Sequence, residues 1–255
     1  MLDTDVPLIK EGTGTPLVLL HCLGVDHRFW DFARPLAQNF TLYRYDLPGH
    51  GVSPVLQSAY TIADLADQLA AILEKHAITR AHIGGISLGG LIAQDFAARY
   101  PERVDRLALI DTTPRYTDEM RRMWAERAGT ARSKGVAVMV DALLGIWFSK
   151  QAIAQNDAGV SYVRETLTHC NGEAYAVACE ALAAADLRAA LGSIRAKTLV
   201  VCGDDDIPSF LDAARQLAGS IPDARLEWIS GTRHASVLEK SADAVALLRS
   251  FLQMT

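Results

Sequence analysis

Gly85-Ile86-Ser87-Leu88-Gly89 is the stretch of this chain best suited to chemistry. It follows a short apolar run, Ala81-His82-Ile83-Gly84, and opens a helix-like stretch from Leu88 to Tyr100. A serine between glycines on a tight strand-to-helix turn stands proud of the sheet edge, because the glycines remove side chains that would collide there. The helix beginning at Leu88 directs backbone N–H groups and its positive dipole end at the same point. A serine so placed can attack an acyl carbon.

A serine hydroxyl is a weak nucleophile. It needs a base, and the base needs a carboxylate to fix its tautomer and stabilise the imidazolium. For a turn of this kind the order along the chain is serine, acid, histidine. Of the seven histidines, only His234, in Gly231-Thr232-Arg233-His234-Ala235, follows the last predicted strand and precedes the last predicted helix. The acid is expected just beyond the run Thr198-Leu199-Val200-Val201, where Asp204, Asp205 and Asp206 stand in succession. Asp206, three residues after Gly203, is the favoured one, Asp205 is second, and Asp111 at the end of an earlier run is a further alternative. Three adjacent carboxylates invite a cation, but no other ligands are spaced to complete a site, so neither a metal nor a cofactor is expected. The developing oxyanion needs preorganised donors. The backbone N–H groups of Leu88, and of Leu23 in the loop His21-Cys22-Leu23-Gly24, are the candidates. His21 is expected to pack structurally and His50, in Gly49-His50-Gly51, to serve a turn. Trp147 and Phe148 follow Gly145 and are candidates for a pocket wall, whereas Trp124, Tyr162 and Tyr175 read as core.

These residues need a frame. Leu17-Val18-Leu19-Leu20 is a continuous apolar run, as in a strand buried on both faces. A helix is predicted from His27 to Gln38, a strand at Leu42-Tyr43-Arg44-Tyr45, and a turn-rich loop at Asp46-Leu47-Pro48-Gly49-His50-Gly51. Thr61 with Asp64 resembles a capping box, and Ile62, Leu65, Leu69, Ile72 and Leu73 keep helical spacing to about His76. The elbow strand and helix follow, then Leu107-Ala108-Leu109-Ile110. From Pro114 to about Asp186 the chain is helical in character, without a convincing strand. Alternation resumes with Thr198–Val201, a helix near Phe210 to Ala218, a strand at Leu226-Glu227-Trp228-Ile229, and a final helix from about Ser236 to Phe251. The fold class is therefore α/β, a mostly parallel sheet flanked by helices. Residues 1–113 and 187–255 form the core domain, and residues 114–186 an inserted helical lid over the strand ends.

A chain of 255 residues, half of them hydrophobic, suffices for one large domain with a dry core. The formal net charge of −5, with both signs interspersed, points away from nucleic acid and anionic membrane partners. The acidic start, Met1-Leu2-Asp3-Thr4-Asp5, lacks the basic and apolar regions of a signal peptide, and the apolar stretch Val136 to Phe148 is too short to span a bilayer. Four cysteines without C-x-x-C spacing suit reduced thiols. A cytoplasmic enzyme with a small-molecule ester or lactone substrate is the expectation.

Across its whole length the chain resembles the α/β-hydrolase superfamily, and within it the 3-oxoadipate enol-lactone hydrolases. The resembling stretches are Tyr43-Arg44-Tyr45-Asp46 with Gly49-His50-Gly51, Gly85 to Gly90, Trp147-Phe148, and the segment His169 to Arg188. The resemblance implies Ser87 as nucleophile, Asp206 as acid and His234 as base. It also marks two departures. That family tends to carry an arginine just before the Trp-Phe pair, where this chain has Ile146; if that arginine holds a substrate carboxylate, Ile146 implies a less anionic substrate. The segment before Val6 is too short for the usual first strand, which leaves Pro7-Leu8-Ile9-Lys10 as the edge strand. Besides an enol-lactone hydrolase, three readings stand: a general carboxylesterase or acyl-lactonase, a carbon–carbon bond hydrolase of ring-cleavage products, and a binding protein on a hydrolase scaffold.

Overall fold

The computed structural model describes residues 2–56 and 58–253. Among the described residues seven strands form one sheet: β1 (Ile9–Glu11), β2 (Thr15–Leu20), β3 (Phe40–Arg44), β4 (Ala81–Ile86), β5 (Val104–Ile110), β6 (Lys197–Gly203) and β7 (Ala224–Ile229). Their spatial order is β1-β3-β2-β4-β5-β6-β7. β1 runs antiparallel to β3, and every other pairing is parallel. Strands covered on both faces must be apolar throughout, and Leu17–Leu20, Ala81–Ile86 and Arg106–Ile110 are buried without interruption. Helices α1 (Ile62–Lys75) and α2 (Leu88–Arg99) pack together, α2 lies on β4 and β5, and α8 (Pro208–Ser220) lies on β6 and β7. The α/β architecture with a flanked, mostly parallel sheet is thus the observed one.

The edge strand starts two residues later than the sequence pattern placed it and ends one later. Pro7 has no N–H to give a ladder, while Glu11 at the other end is held by the guanidinium of Arg44 on the paired strand. The predicted helix His27–Gln38 keeps its limits but winds as 3₁₀ turns, with Pro35 inside. Trp30, Ala33 and Leu36 are all buried; a spacing of three matches the three residues per turn of a 3₁₀ helix, and Pro35 cannot donate an α-type bond. The Thr61 capping box forms in full: Thr61 Oγ accepts from the Asp64 N–H, and Asp64 accepts from the Thr61 N–H. The single final helix expected from Ser236 is two, α9 (Ser236–Glu239) and α10 (Ser241–Gln253). The break at Lys240 lies beside two anchors on α9: Ser236 donates to Asp111, and Glu239 accepts from the Ser149 N–H.

Between β5 and β6 the chain leaves the sheet for α3 (Asp118–Lys134), α4 (Val140–Trp147), α5 (Lys150–Gln155), α6 (Ala158–His169) and α7 (Gly172–Ala184). α3 packs along α7, and α4 against α6. The excursion closes at a neck where Arg115 bridges to Asp186 and the Leu187 N–H donates to the Pro114 carbonyl at 2.9 Å. Among the described residues no helix is long and apolar enough to cross a membrane.

Candidate active site

Three adjacent strand ends frame Ser87. β2 and β5 flank β4, with Leu20 opposite Gly85 and Ile86 opposite Ile110. Ser87 follows β4 at φ 51° and ψ −111°, a region that few side chains occupy, and its N–H donates to the Ile110 carbonyl at 3.0 Å. That conformation stores strain, and such outliers cluster at functional sites. Ser87 precedes α2, yet its side chain makes no capping bond, so the hydroxyl is free for another partner.

The glycines on either side are required by contact. A Cβ at Gly85 would lie 2.1 Å from the Gly89 carbonyl oxygen, and one at Gly89 would lie 2.2 Å from that of Leu20. Gly89→Ala is accordingly expected to lower the unfolding free energy by about 1–3 kcal/mol through forced backbone displacement. Gly192→Ala, at a position with nothing within 4 Å of the added carbon, is the control and leaves it unchanged. Chemical denaturation of both variants checks this, and equal stabilities would mean the elbow can yield.

His234 lies in the loop after β7. That loop is held by its own chain and by the loop after β6: Asp204 accepts from the Gly231 N–H at 2.6 Å, the Asp205 N–H donates to the Thr232 carbonyl at 3.0 Å, and Thr232 Oγ donates to the Ile229 carbonyl. The imidazole then reaches both partners. Its Nδ1 is 2.9 Å from Asp206 Oδ2, and its Nε2 is 3.2 Å from Ser87 Oγ. Relative exposures of 6 % for Ser87, 5 % for Asp206 and 6 % for His234 put the whole line out of bulk water. Asp206 Oδ1 also accepts from the Ile207 N–H at 2.7 Å, which fixes the carboxylate plane.

The other acids have different places. Asp204 and Asp205 are exposed. Asp111 is fully buried, but it accepts from the Gly203 N–H and from the Ser236 N–H and hydroxyl rather than from His234. Burial, with Asp206 nearby, pushes its carboxyl up to about 7. For His234, burial opposes the charged form, but Asp206 and then Asp111 outweigh it and raise the pKa above the ordinary 6.5.

The loop after β2 closes over the start of α2. The carbonyls of Leu20 and His21 both approach Gly89 closely enough to exclude a side chain, so Leu23 and Leu88 belong to facing segments. Leu88 opens α2, and a first-turn N–H has no partner within its own helix. His21 accepts the Leu47 N–H at Nε2 and gives its Nδ1 proton to the Cys22 carbonyl, and burial lowers its pKa. It is a neutral, structural histidine. His50 holds the Pro48 carbonyl within its turn and is pushed down to about 4 by burial and by His21.

Of the two aromatics expected at a pocket wall, Trp147 meets His234 edge-on with ring centres 6.3 Å apart, and its carbonyl accepts from the Ala235 N–H at 2.8 Å. Phe148 has no exposed surface and packs in the core. Trp147 is the last residue of α4 and Phe148 is already extended, at φ −121° and ψ 154°, so the two side chains leave the backbone in different directions. Ile146 is half-buried, and beside it the guanidinium of Arg233, from the histidine loop, donates to the Gly145 carbonyl at 2.5 Å. Two residues escaped the sequence reading. Phe210, at the start of α8, stacks 4.3 Å from His234, and Tyr116, at the neck, packs edge-on against Phe210 at 6.2 Å. The available signal was position: both lie within a few residues of strand ends on the same sheet edge as Ser87.

This geometry on this sheet is that of the alpha/beta hydrolase fold, whose family description matches residues 15–241, and the chain belongs to that family. It is 34 % identical to a pimeloyl-[acyl-carrier protein] methyl ester esterase of Chromobacterium violaceum over 95 % of this chain and 96 % of that one. It is 32 % identical to a putative carbamate hydrolase RutD of Yersinia enterocolitica, covering 93 % of this chain and 87 % of the relative. Among solved structures, the enol-lactonase from Burkholderia xenovorans LB400 superposes with a TM-score of 0.93 at 30 % identity, over 98 % of this chain and 96 % of that one. The chain is a hydrolase acting on ester bonds.

Proposed function

We propose that this hydrolase opens a small lactone or enol ester through an acyl-enzyme, a chemistry like 3-oxoadipate enol-lactone hydrolysis. The observation that carries this reading is the hydrogen-bonded line from Asp206 through His234 to Ser87 at the strained turn. Ser87 Oγ bonds to the acyl carbon as its proton passes to His234 Nε2. Asp206 accepts from Nδ1–H and stabilises the imidazolium. The N–H groups of Leu23 and Leu88 receive the oxyanion. The C–O bond then breaks, and His234 returns the proton to the departing enol oxygen, which relaxes to a ketone. Water, deprotonated by His234, frees the acid and Ser87. Residues 114–186 act as the lid, contributing Trp147 to the wall, over a core of residues 1–113 and 187–255. The likeness to a solved enol-lactonase supports a lactone; the likeness to a methyl ester esterase supports an open-chain ester as the second reading.

A p-nitrophenyl ester tests the mechanism: added methanol is expected to divert part of the product to methyl ester, in the same proportion for p-nitrophenyl and phenyl esters of one acid, and a proportion that differs between the two leaving groups would remove the shared acyl-enzyme. A panel of enol-lactones, methyl esters and dienoic diketones then separates the readings, with the highest kcat/KM expected on an enol-lactone. A general base works only when neutral. Because the pKa of His234 is raised, kcat/KM is expected to fall on acidification through a value above 6.5. A wild-type limb below 6.5 contradicts the assignment.

A further inference from the structure

Helices α6 and α7 bear directly on the loop that carries Leu23. Gly24, the next residue, sits at φ 80°. A Cβ on it would lie 2.5 Å from Leu167 of α6 and 3.0 Å from the ring of Tyr175 of α7, so both helices press on this stretch of backbone. Farther along, Tyr162 of α6 meets Asp26, 136 positions away in the chain. Its hydroxyl accepts the Asp26 N–H at 3.2 Å, and its own proton faces Asp26 Oδ1 at 3.0 Å and the Asp26 carbonyl at 3.1 Å. A single hydroxyl thus holds both the main chain and the side chain of Asp26.

The core side of Asp26 is fixed as well. Arg28 grips its carboxylate, with Nη2 2.8 Å from Oδ2 and Nε 3.1 Å from both oxygens, and Oδ1 accepts the Arg28 N–H at 2.9 Å. The next residue, His27, donates its N–H to the buried Asp46 at 2.7 Å. Arg28 also lies over the Tyr162 ring, 5.5 Å from its centre, so the tyrosine closes the same cluster from the helical side. Between Leu20, locked in β2, and Asp26 lie only His21 to Val25, and all of them are buried. His21 is tied down by the Leu47 N–H. A shift of Asp26 must therefore be taken up by turning the peptides of Cys22 to Val25, with the Leu23 N–H among them. Small errors in the placement of a catalytic donor are costly, since about 1 Å can lose 10²-fold in rate.

We propose that Tyr162 is a positioning residue for acyl transfer: through Asp26 it sets the Leu23 N–H at the oxyanion, so the hole is complete only while α6 sits on that loop. This rests on the reading of Ser87 as nucleophile and of Leu23 as an oxyanion donor.

The test uses Tyr162→Phe, which keeps the ring against Arg28 and loses only the hydroxyl, with two inhibitors of one short alkyl skeleton. Ser87 Oγ adds to the carbonyl carbon of a trifluoromethyl ketone, its proton passes to His234 Nε2, and the carbonyl oxygen becomes the oxyanion. The matching trifluoromethyl alcohol fills the same space and forms no oxyanion. In Tyr162→Phe, kcat on a p-nitrophenyl ester should fall about 10- to 100-fold, up to the loss of a whole oxyanion donor, with KM within about twofold. The ketone's inhibition constant should rise by a similar factor, while the alcohol's stays within about twofold, because only the adduct uses the hole. A merely structural tyrosine would weaken ketone and alcohol alike, or lower the melting temperature with kcat and both constants unchanged in the folded protein; either result overturns the proposal. A wild type that binds the ketone no tighter than the alcohol overturns the reading of Ser87 and this proposal together. A wild type that prefers the ketone, with that preference intact in Tyr162→Phe, overturns the proposal alone.

Discussion

Ser87→Ala removes turnover on every ester that the wild type hydrolyses, by on the order of 10⁴- to 10⁶-fold, and leaves the fold intact. The loss is large because nothing else in the site can form the acyl bond. The Tyr116 hydroxyl is buried and its pKa is raised by that burial, so it does not ionise to take over. Stability is retained for three reasons. Alanine and serine both carry a Cβ, so the positive φ of 51° costs them the same. Ser87 Oγ caps no helix. The main-chain bonds of the turn, Ser87 N–H to Ile110 and Ser87 carbonyl to the Leu91 N–H and Thr112 hydroxyl, do not involve the side chain. Steady-state rates with an active-site-titrated wild type as reference, together with a melting curve, check both halves. A variant that keeps more than a few per cent of the rate would take Ser87 out of the nucleophile's role.

The second large effect belongs to Asp206→Asn, expected at up to ~10⁴ in kcat. The geometry says why an amide fails. Asp206 Oδ1 accepts from the Ile207 N–H and Oδ2 accepts from His234 Nδ1–H. An asparagine there keeps its carbonyl oxygen toward Ile207 and turns its NH₂ toward the imidazole. Nδ1 must then be the acceptor, the ring proton moves to Nε2, and Nε2 meets Ser87 as a donor that takes no proton. Asp205→Asn, at an exposed position, is expected within about twofold of wild type, in line with substitutions away from special features. Asp204→Asn keeps a carbonyl to accept from the Gly231 N–H and should cost little more. Rates of the three variants side by side decide the matter. A dead Asp205→Asn beside an active Asp206→Asn would reassign the acid.

What could be read in advance follows the range of the interactions involved. The elbow was legible because its constraints are local: Gly85 is barred from carrying a side chain by Gly89, four residues away. The Thr61 cap closes over three residues. The strands β2, β4, β5 and β6 are apolar runs that no surface element would tolerate. Where prediction slipped, the cause was also local: Pro35 and the three-residue spacing of Trp30, Ala33 and Leu36 wind His27–Gln38 as 3₁₀ turns.

The sequence by itself determined the class of the fold, the tight turn that carries Ser87, and the loop that carries His234, since these depend on strand, turn and order along the chain. Only the tertiary structure decided which of three consecutive aspartates turns inward, because successive residues in a loop differ in direction and not in type. Asp206 is buried while Asp204 and Asp205 are exposed. It also decided that Trp147 meets the histidine, that Phe210 packs against the same ring and Tyr116 against Phe210, and that Asp111 anchors Ser236. Those contacts join residues far apart in the chain, 125 apart for Asp111 and Ser236 and 147 for Ser87 and His234. No local periodicity records them. They exist because the parallel sheet gathers the loops after β2, β4, β5, β6 and β7 at one edge, where packing, not propensity, sets each side chain's direction.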